Sequence, residues 1–282
     1  MSILITGVTG YLGKELINKY LNSNKKIVLT YRNKKLENFN NFFWKEFNLY
    51  SNQNDIYNYL TKPESLIHLA WDGLNLRDYG SSIHTKQVDY HFNFIESLIK
   101  NGLKNIIVVG TCFEYGDYEG EINEDMTPNP VTNYGQAKNT LRLKLESLKL
   151  KYKFNLTWLR LFYLYGGEKN TDNLWGNLNR AVNSKKNSFQ ITKGTQLRDY
   201  LHIEDVVKYI KILASLNKDL GVLNICSNTP VSIKQLVTKW INENDWKIRI
   251  ELNKLPIKNY EKRDFWGSNI KLKSILNNLE KY

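Results

Sequence analysis

The 282-residue sequence predicts an α/β fold, a doubly wound parallel sheet with a smaller, discontinuous lobe toward the C-terminus. Three observations predict it. Short β-branched or apolar runs alternate with segments of helical period through the first 165 residues. A glycine-rich loop joins the first run to the first helical segment. The alternation then gives way, after Tyr165-Gly166-Gly167, to mixed helical, irregular and short-strand stretches. Runs that are apolar throughout are strands buried on both faces, which requires helices on both sides of a parallel sheet.

In chain order, strands are expected at Ser2–Thr6, Lys26–Tyr31, Phe43–Phe47, Ser65–Leu69, Asn105–Val109 and Asn155–Leu161. Helices are expected between them at Gly10–Asn22, Ile56–Leu60, Thr85–Lys100 and Tyr134–Tyr152. Beyond them, His202–Leu216 has helical period and Val222–Ile225 reads as a further strand. The expected division is a dinucleotide-binding domain of residues 1–165 plus about 201–226, and a substrate lobe of 166–200 plus about 227–282.

Composition narrows the function classes. Hydrophobic residues make up 41%, with 7 Trp, 18 Tyr and 11 Phe, enough to build a core and to exclude global disorder. No run approaches the ~20 apolar residues of a bilayer span, so no membrane partner is expected. The opening residues show no charged segment followed by a long apolar one, so no secretory signal and a cytoplasmic location are expected. Two cysteines, Cys112 and Cys226, supply neither a disulfide framework nor a four-cysteine metal site. The net charge is +12, but it comes from 32 Lys against 8 Arg, scattered among 36 Asn. Nucleic-acid binders concentrate basic residues on one face, often as Arg, so no nucleic-acid partner is expected; the positive field favours anionic small molecules.

The loop Gly7-Val8-Thr9-Gly10-Tyr11-Leu12-Gly13 lies between the first strand and first helix. Glycines at 7, 10 and 13 permit a tight turn, close approach of a pyrophosphate and close helix-to-sheet packing, the Rossmann arrangement. Gly7, Thr9, Gly10, Tyr11, Leu12 and Gly13 are therefore expected at the cofactor. An ordinary glycine turn would share the composition but not the placement. After the second strand comes Tyr31-Arg32-Asn33-Lys34-Lys35, with no carboxylate before Glu37. A free ribose 2′-OH is usually held here by Asp or Glu, and a 2′-phosphate by Arg. NADPH is thus expected ahead of NADH, with Arg32 clamping the phosphate and nothing nearby to repel it. Tyr134 and Lys138 stand four apart on one helix face, where an ammonium would depress the phenol pKa and make Tyr134 an acid/base. Thr111, at a strand end upstream, offers a hydroxyl to the same reacting oxygen.

Together, the glycine loop, Thr111 and the Tyr134-x-x-x-Lys138 pair resemble the extended short-chain dehydrogenase/reductases, in particular the nucleotide-sugar epimerase/dehydratase/reductase branch. Ile67-His68-Leu69-Ala70, Leu159–Gly166, Asn173-Leu174 and the segment Gly194–Val206 extend the resemblance over nearly the whole chain. It implies that Leu69, Ala70 and Trp71 line the dinucleotide, that Asn48 and Leu49 lie beside the adenine, and that Leu161 lies near the nicotinamide. It places Tyr163, Asn173 and Leu174 at the sugar nucleotide and Ile191 over its base. It assigns Arg198, Tyr200 and Arg263 to the diphosphate, through charge-assisted contacts. A homodimer pairing through the Thr85–Lys100 and Tyr134–Tyr152 helices is implied too. His68, His202 and Asp205 are expected to be structural, and His84 and His91 carry no motif.

The residues after Thr111 discriminate among reactions. The 4,6-dehydratases resemble Thr-Asp-Glu at this point, whereas here Cys112 and Phe113 follow, and Glu114 falls one step too late. The bifunctional 3,5-epimerase/4-reductases carry a thiol two positions after the first hydroxyl, where this chain has Phe113. What remains is 4-keto reduction of a nucleotide-activated 6-deoxy sugar, of the kind feeding surface-polysaccharide synthesis, with Thr111, Tyr134 and Lys138 as catalytic set. A 4-epimerase using tightly held NAD is the alternative of the same class. A redox-inactive dinucleotide sensor is the alternative of another class, and the intact Tyr, Lys and Thr set argues against it.

Overall fold

The computed structural model of the chain describes residues 2–36, 39, 42–51, 54–74, 79–167, 172–257 and 264–279. The first half runs β1 (Ser2–Thr6), α1 (Tyr11–Asn18), β2 (Lys26–Tyr31), β3 (Phe43–Glu46), α2 (Ile56–Tyr59), β4 (Ser65–His68), α3 (Ile83–Lys86), α4 (Val88–Lys100) and β5 (Asn105–Thr111). A 3₁₀ turn (Cys112–Glu114) leads to β6 (Gly120–Ile122), α5 (Asn133–Leu148), β7 (Asn155–Leu161) and β8 (Tyr163–Tyr165). Then come α6 (Leu174–Asn183), β9 (Ser188–Gln190), β10 (Leu197–His202), α7 (Ile203–Leu216) and β11 (Gly221–Ile225). The described chain closes with β12 (Pro230–Ser232), α8 (Ile233–Glu243), β13 (Arg249–Glu251), β14 (Phe265–Gly267) and α9 (Ile270–Leu279).

Seven strands form one sheet in the order β3-β2-β1-β4-β5-β7-β11, parallel throughout. This is the doubly wound order, with the switch point between β1 and β4. Side chains alternate across it as a strand's period of two demands. Leu4, Val28, Leu66, Ile106, Val108 and Trp158 join the core under α4 and α5. Ile3, Ile5, Ile27, Leu29, Ile67, Ile107 and Leu159 join the core under α1 and α7. Each such Leu or Ile contributes about 1.5–3 kcal/mol on burial, so the two-sided core makes the sheet the rigid base of the molecule.

A third core, with Leu178, Phe189, Ile191, Val237 and Trp240, holds α6, α8, β9 and β13 together. Smaller sheets β12-β10-β8, β13-β9 and β14-β6 complete this part of the chain. Helix α9 falls within the stretch read from sequence as lobe, yet its Leu272 packs into the core beneath α1 and α7.

Differences from the expected elements are local. The single helix expected at Thr85–Lys100 is two, α3 and α4, meeting at Gln87, whose side chain turns to bond the backbone of Asp72. The helix expected at Gly10–Asn22 ends at Asn18, after which Tyr20 is buried in the core.

Candidate functional site

A cleft of about 1930 Å³ opens over the C-terminal ends of the parallel strands. Drug-sized ligands occupy roughly 300–1,000 Å³, so this cleft has room for two large ligands side by side. At its centre the chain leaves β1 through Gly7 (φ +74°), where a Cβ would sit 2.5 Å from the Ala70 nitrogen at the end of β4. A Cβ on Gly13 would collide with the Gly7 carbonyl and Val8 backbone. These two positions accept glycine alone, which is why the loop can lie flat against β4 and α1. Gly10 is the N-cap of α1 and offers no side-chain acceptor, so first-turn N–H groups remain for an anion. Thr9, Tyr11 and Leu12 line the cleft beside it, with Asn48, Leu49, Leu69, Ala70 and Trp71. The loop thus fits the pyrophosphate of a dinucleotide.

The ribose end departs from the sequence expectation. Arg32 Nη1 and Nη2 donate to the Asp72 carboxylate at 2.7 and 3.4 Å. The end of β2, acid-free along the chain, is not acid-free in space: β1 lies between β2 and β4, and the segment after β4 reaches across it. The Tyr50 hydroxyl donates to Asp72 Oδ2 at 2.8 Å. Gln87 accepts from the Asp72 N–H and donates to its carbonyl, at 3.1 and 3.2 Å. That amide orientation sets the direction of a buried chain. His91 Nε2 donates to Gln87 Oε1, His68 Nε2 donates to His91 Nδ1, and the Thr6 hydroxyl donates to His68 Nδ1. Both histidines are neutral; burial, with the charge of Lys138 behind it, takes His68 down to about 3, and burial lowers His91 likewise. His68 is therefore a structural link; Asp72, Tyr50 and His91 line the cleft and the buried Gln87 holds Asp72 from behind, four residues that reading along the chain did not single out for the site. The signal for Asp72 was strand order.

The catalytic candidates meet at the floor. Thr111 ends β5, and its side chain accepts from Phe113 N at 3.3 Å and hydrogen-bonds Tyr134. Helix α5 is capped by Thr132, and Gly135 lets its first turn press against the Phe113 carbonyl, which brings Tyr134 over Thr111. The Tyr134 ring stacks on Tyr79 at 5.2 Å and neighbours His84, Phe113 and Trp71. Lys138 is buried one turn on; its Nζ donates to the Val109 carbonyl at 2.8 Å and lies 3.9 Å from the Trp71 ring centroid. The expected depression of the Tyr134 pKa is corrected here. Burial in the aromatic cage pushes the phenol up, and the nearby carboxylate of Glu114 adds to it. Lys138, itself lowered to about 7 by burial, is committed to Val109 and Trp71. The protonated phenol is the form that can donate to a carbonyl.

Glu114 is fully buried behind this floor. Its carboxylate takes Thr111 N, Trp158 Nε1 and Arg160 Nε at 2.9 Å each. It faces away from the cleft, whose wall here is Cys112 and Phe113.

At the other end Leu161, Tyr163, Asn173, Leu174, Ile191 and Tyr200 all line the cleft. Asn173 caps α6 by accepting from Gly176 N at 2.9 Å and also bonds Tyr11, whose hydroxyl donates to the Gly166 carbonyl. Tyr163 and Tyr200 stack at 5.2 Å. Arg198 is not part of this lining. It is buried, donating to Leu197 O at 2.6 Å with its guanidinium over Phe265, while neighbouring Asp199 takes four hydrogen bonds from Ser227, Asn228 and Gly267. Arg198 lies on the same face of β10 as Tyr200, with its guanidinium also 6.0 Å from the Tyr163 ring, whereas Asp199 and its partners lie on the opposite face. Arg263 lies outside the described residues. Cations that do line this end are Arg180, bound to Asp172 and Asn177, together with Lys185 and Lys186.

The family model "NAD dependent epimerase/dehydratase family" matches residues 3–226. A dTDP-6-deoxy-L-talose 4-dehydrogenase (NAD(+)) from Aggregatibacter actinomycetemcomitans is 30% identical, covering 95% of this chain and all of that one. A UDP-glucose 4-epimerase from Pasteurella multocida (strain Pm70) is 26% identical, covering 89% of this chain and 85% of that one. Among solved structures, MoeE5 in complex with UDP-glucuronic acid and NAD superposes with a TM-score of 0.82 at 21% identity, covering 98% and 93%. At that identity the likeness establishes the fold.

Proposed function

Because the chain belongs to the NAD dependent epimerase/dehydratase family, an extended short-chain dehydrogenase/reductase family acting on nucleotide sugars, we propose that it catalyses reversible oxidoreduction at C4 of a nucleotide-linked 6-deoxy sugar, working as a 4-ketoreductase. One observation carries the reading: the floor of the cleft holds Tyr134, bonded to Thr111, while the nearest carboxylate, Glu114, is sealed in an ion pair with Arg160. Dehydration needs a second acid/base at the sugar; Phe113 and Cys112 stand there instead. A nicotinamide dinucleotide in the cleft supplies hydride. Tyr134 donates the proton to the ketone oxygen, and Thr111 holds that oxygen in line, so that the transfer is effectively intramolecular. Lys138 is anchored on the Val109 carbonyl and the Trp71 ring, behind the residues that line the cleft, and there acts as a positioning residue. A 4-dehydrogenase is the same reaction run toward the ketone, so the talose-nucleotide relative supports this reading.

The reading carries a cytoplasmic homodimer paired through α4 and α5, supported by exposed Tyr90 and Leu143 on those helices. No helix among the described residues is long and apolar enough to cross a membrane. The test is incubation with 4-keto-6-deoxy sugars linked to GDP, dTDP, CDP and UDP. Stoichiometric loss of reduced nicotinamide absorbance with alcohol formation is expected. Interconversion of two ordinary sugar nucleotides without net absorbance change would establish the 4-epimerase, which the Pasteurella relative keeps in view. Inertness toward every keto sugar would refute the reductase.

A further inference from the structure

We propose that Asp72 is the residue that selects the cofactor, holding a free ribose 2′-hydroxyl and rejecting a 2′-phosphate, so that this chain works with NAD(H). Arg32, in this view, is the clamp that aims Asp72. The proposal rests on the dinucleotide reading of the Gly7–Gly13 loop and replaces the phosphate-binding role that sequence order suggested for Arg32.

Both side chains line the cleft at the C-terminal ends of β2 and β4, on either side of the β1 loop. The Arg32 fork is spent on Asp72 through both terminal nitrogens, at 2.7 and 3.4 Å. A phosphate could take that fork only by displacing the carboxylate. Displacement is opposed from three directions. The Asp72 backbone is pinned on its N–H and its carbonyl by the buried Gln87 amide. The Tyr50 hydroxyl bonds the carboxylate and also approaches Gln87 Oε1 at 3.1 Å. Gln87 in turn is fixed by the His91–His68–Thr6 chain, which ends at the last residue of β1, next to Gly7. The carboxylate is therefore presented at the cleft wall by a fixed backbone and by the Arg32 and Tyr50 side chains. A fixed, ionised carboxylate is acceptor-only: a ribose hydroxyl can donate to it, and a phosphate dianion cannot. The exposed half of the pair faces the cleft mouth, with side-chain exposures of 49% for Arg32 and 37% for Asp72, so a ribose can reach it without unfolding anything.

The experiment is titration of the purified full-length chain with NADH and NADPH, without sugar nucleotide, followed by calorimetry or by tryptophan quenching. Wild type should bind NADH at least about tenfold more tightly, a ratio equal to about 1.4 kcal/mol. Asp72→Asn removes the charge at constant shape and releases Arg32, so NADPH should gain affinity and the ratio should shrink by about tenfold. Asp72→Asn combined with Arg32→Ala should lose that gain, because the released guanidinium is what the phosphate would meet. Asp72 is partly exposed, and an unchanged unfolding midpoint will show that the variant is folded. Wild-type preference for NADPH, or an Asp72→Asn ratio equal to wild type, overturns the assignment of Asp72 while leaving the dinucleotide reading intact. Failure of both dinucleotides to bind wild type overturns the dinucleotide reading itself and this proposal with it.

Discussion

Replacing Glu114 with glutamine removes one negative charge from a position with no exposed surface. Its carboxylate receives Thr111 N–H and Arg160 Nε at 2.9 Å and Trp158 Nε1 at 2.9 and 3.0 Å, with Arg142 Nε 4.0 Å away. Glutamine has the same length, but one end of its amide is a donor. Whichever way the amide turns, its NH₂ meets an N–H already aimed at that point, and Arg160 keeps a buried charge without its counter-ion. Breaking a buried pair in this way costs about 3–5 kcal/mol. Total stability of a folded protein is ~5–15 kcal/mol, so the variant should fold with its midpoint lowered by roughly 6–20 °C, at about 2–4 °C per kcal/mol. The assay is urea unfolding of wild type, Glu114→Gln, Arg160→Met and the double variant. A coupling of at least ~1 kcal/mol is expected, because the double variant leaves no unpaired charge. Turnover should fall with stability, since Thr111 N–H loses its acceptor and the turn presenting the Thr111 hydroxyl loosens. Full stability with abolished turnover would refute this reasoning, because it would make Glu114 a proton donor and reopen dehydration.

Tyr134→Phe should cut turnover at least ~100-fold, the scale of one general acid, with dinucleotide affinity unchanged in calorimetry; wild-type rates would place the acid elsewhere. The buried histidine chain should make the protein acid-sensitive. His68 has a folded pKa of about 3 against 6.5 in the unfolded chain, so unfolded protein binds the extra proton between those values. Stability is then complete above pH 6.5 and is lost as pH falls below it, by about 1.4 kcal/mol per pH unit for each such histidine. Denaturant titrations at successive pH values below 7 check this, and a flat profile would contradict it; His68→Asn should flatten the slope. Leu143→Asp, on the exposed face of α5, should halve the mass measured by light scattering if the chain pairs through α4 and α5, and an unaltered dimer would exclude that face.

Much of the cleft was legible because its determinants are local. The three glycines, the β-branched runs and the Tyr134–Lys138 spacing each encode geometry within a few residues, and the strand ends fell within about two residues of those expected. The role of Gln87 was not legible, since its side-chain partners include the backbone groups of distant Asp72. The burial of Arg198 was not legible either. The residue shares a face of β10 with Tyr200, which lines the cleft, and only the packing of Phe265 and Tyr163 around its guanidinium, brought there by other strands, keeps it short of the lining.

By itself, then, the sequence determined the parallel α/β sheet and the glycine loop and put forward Thr111, Tyr134 and Lys138 as candidates, because hydrophobic period, glycine placement and helical spacing are properties of neighbouring residues. Tertiary structure alone decided the charge balance of the cleft. Strand order 3-2-1-4 carried Asp72 to Arg32 across 40 positions of sequence. Burial by Tyr79, Phe113, His84 and Trp71 raised the Tyr134 pKa that spacing suggested would fall. Electrostatic energies depend on distance and desolvation in space, and neither is a function of separation along the chain.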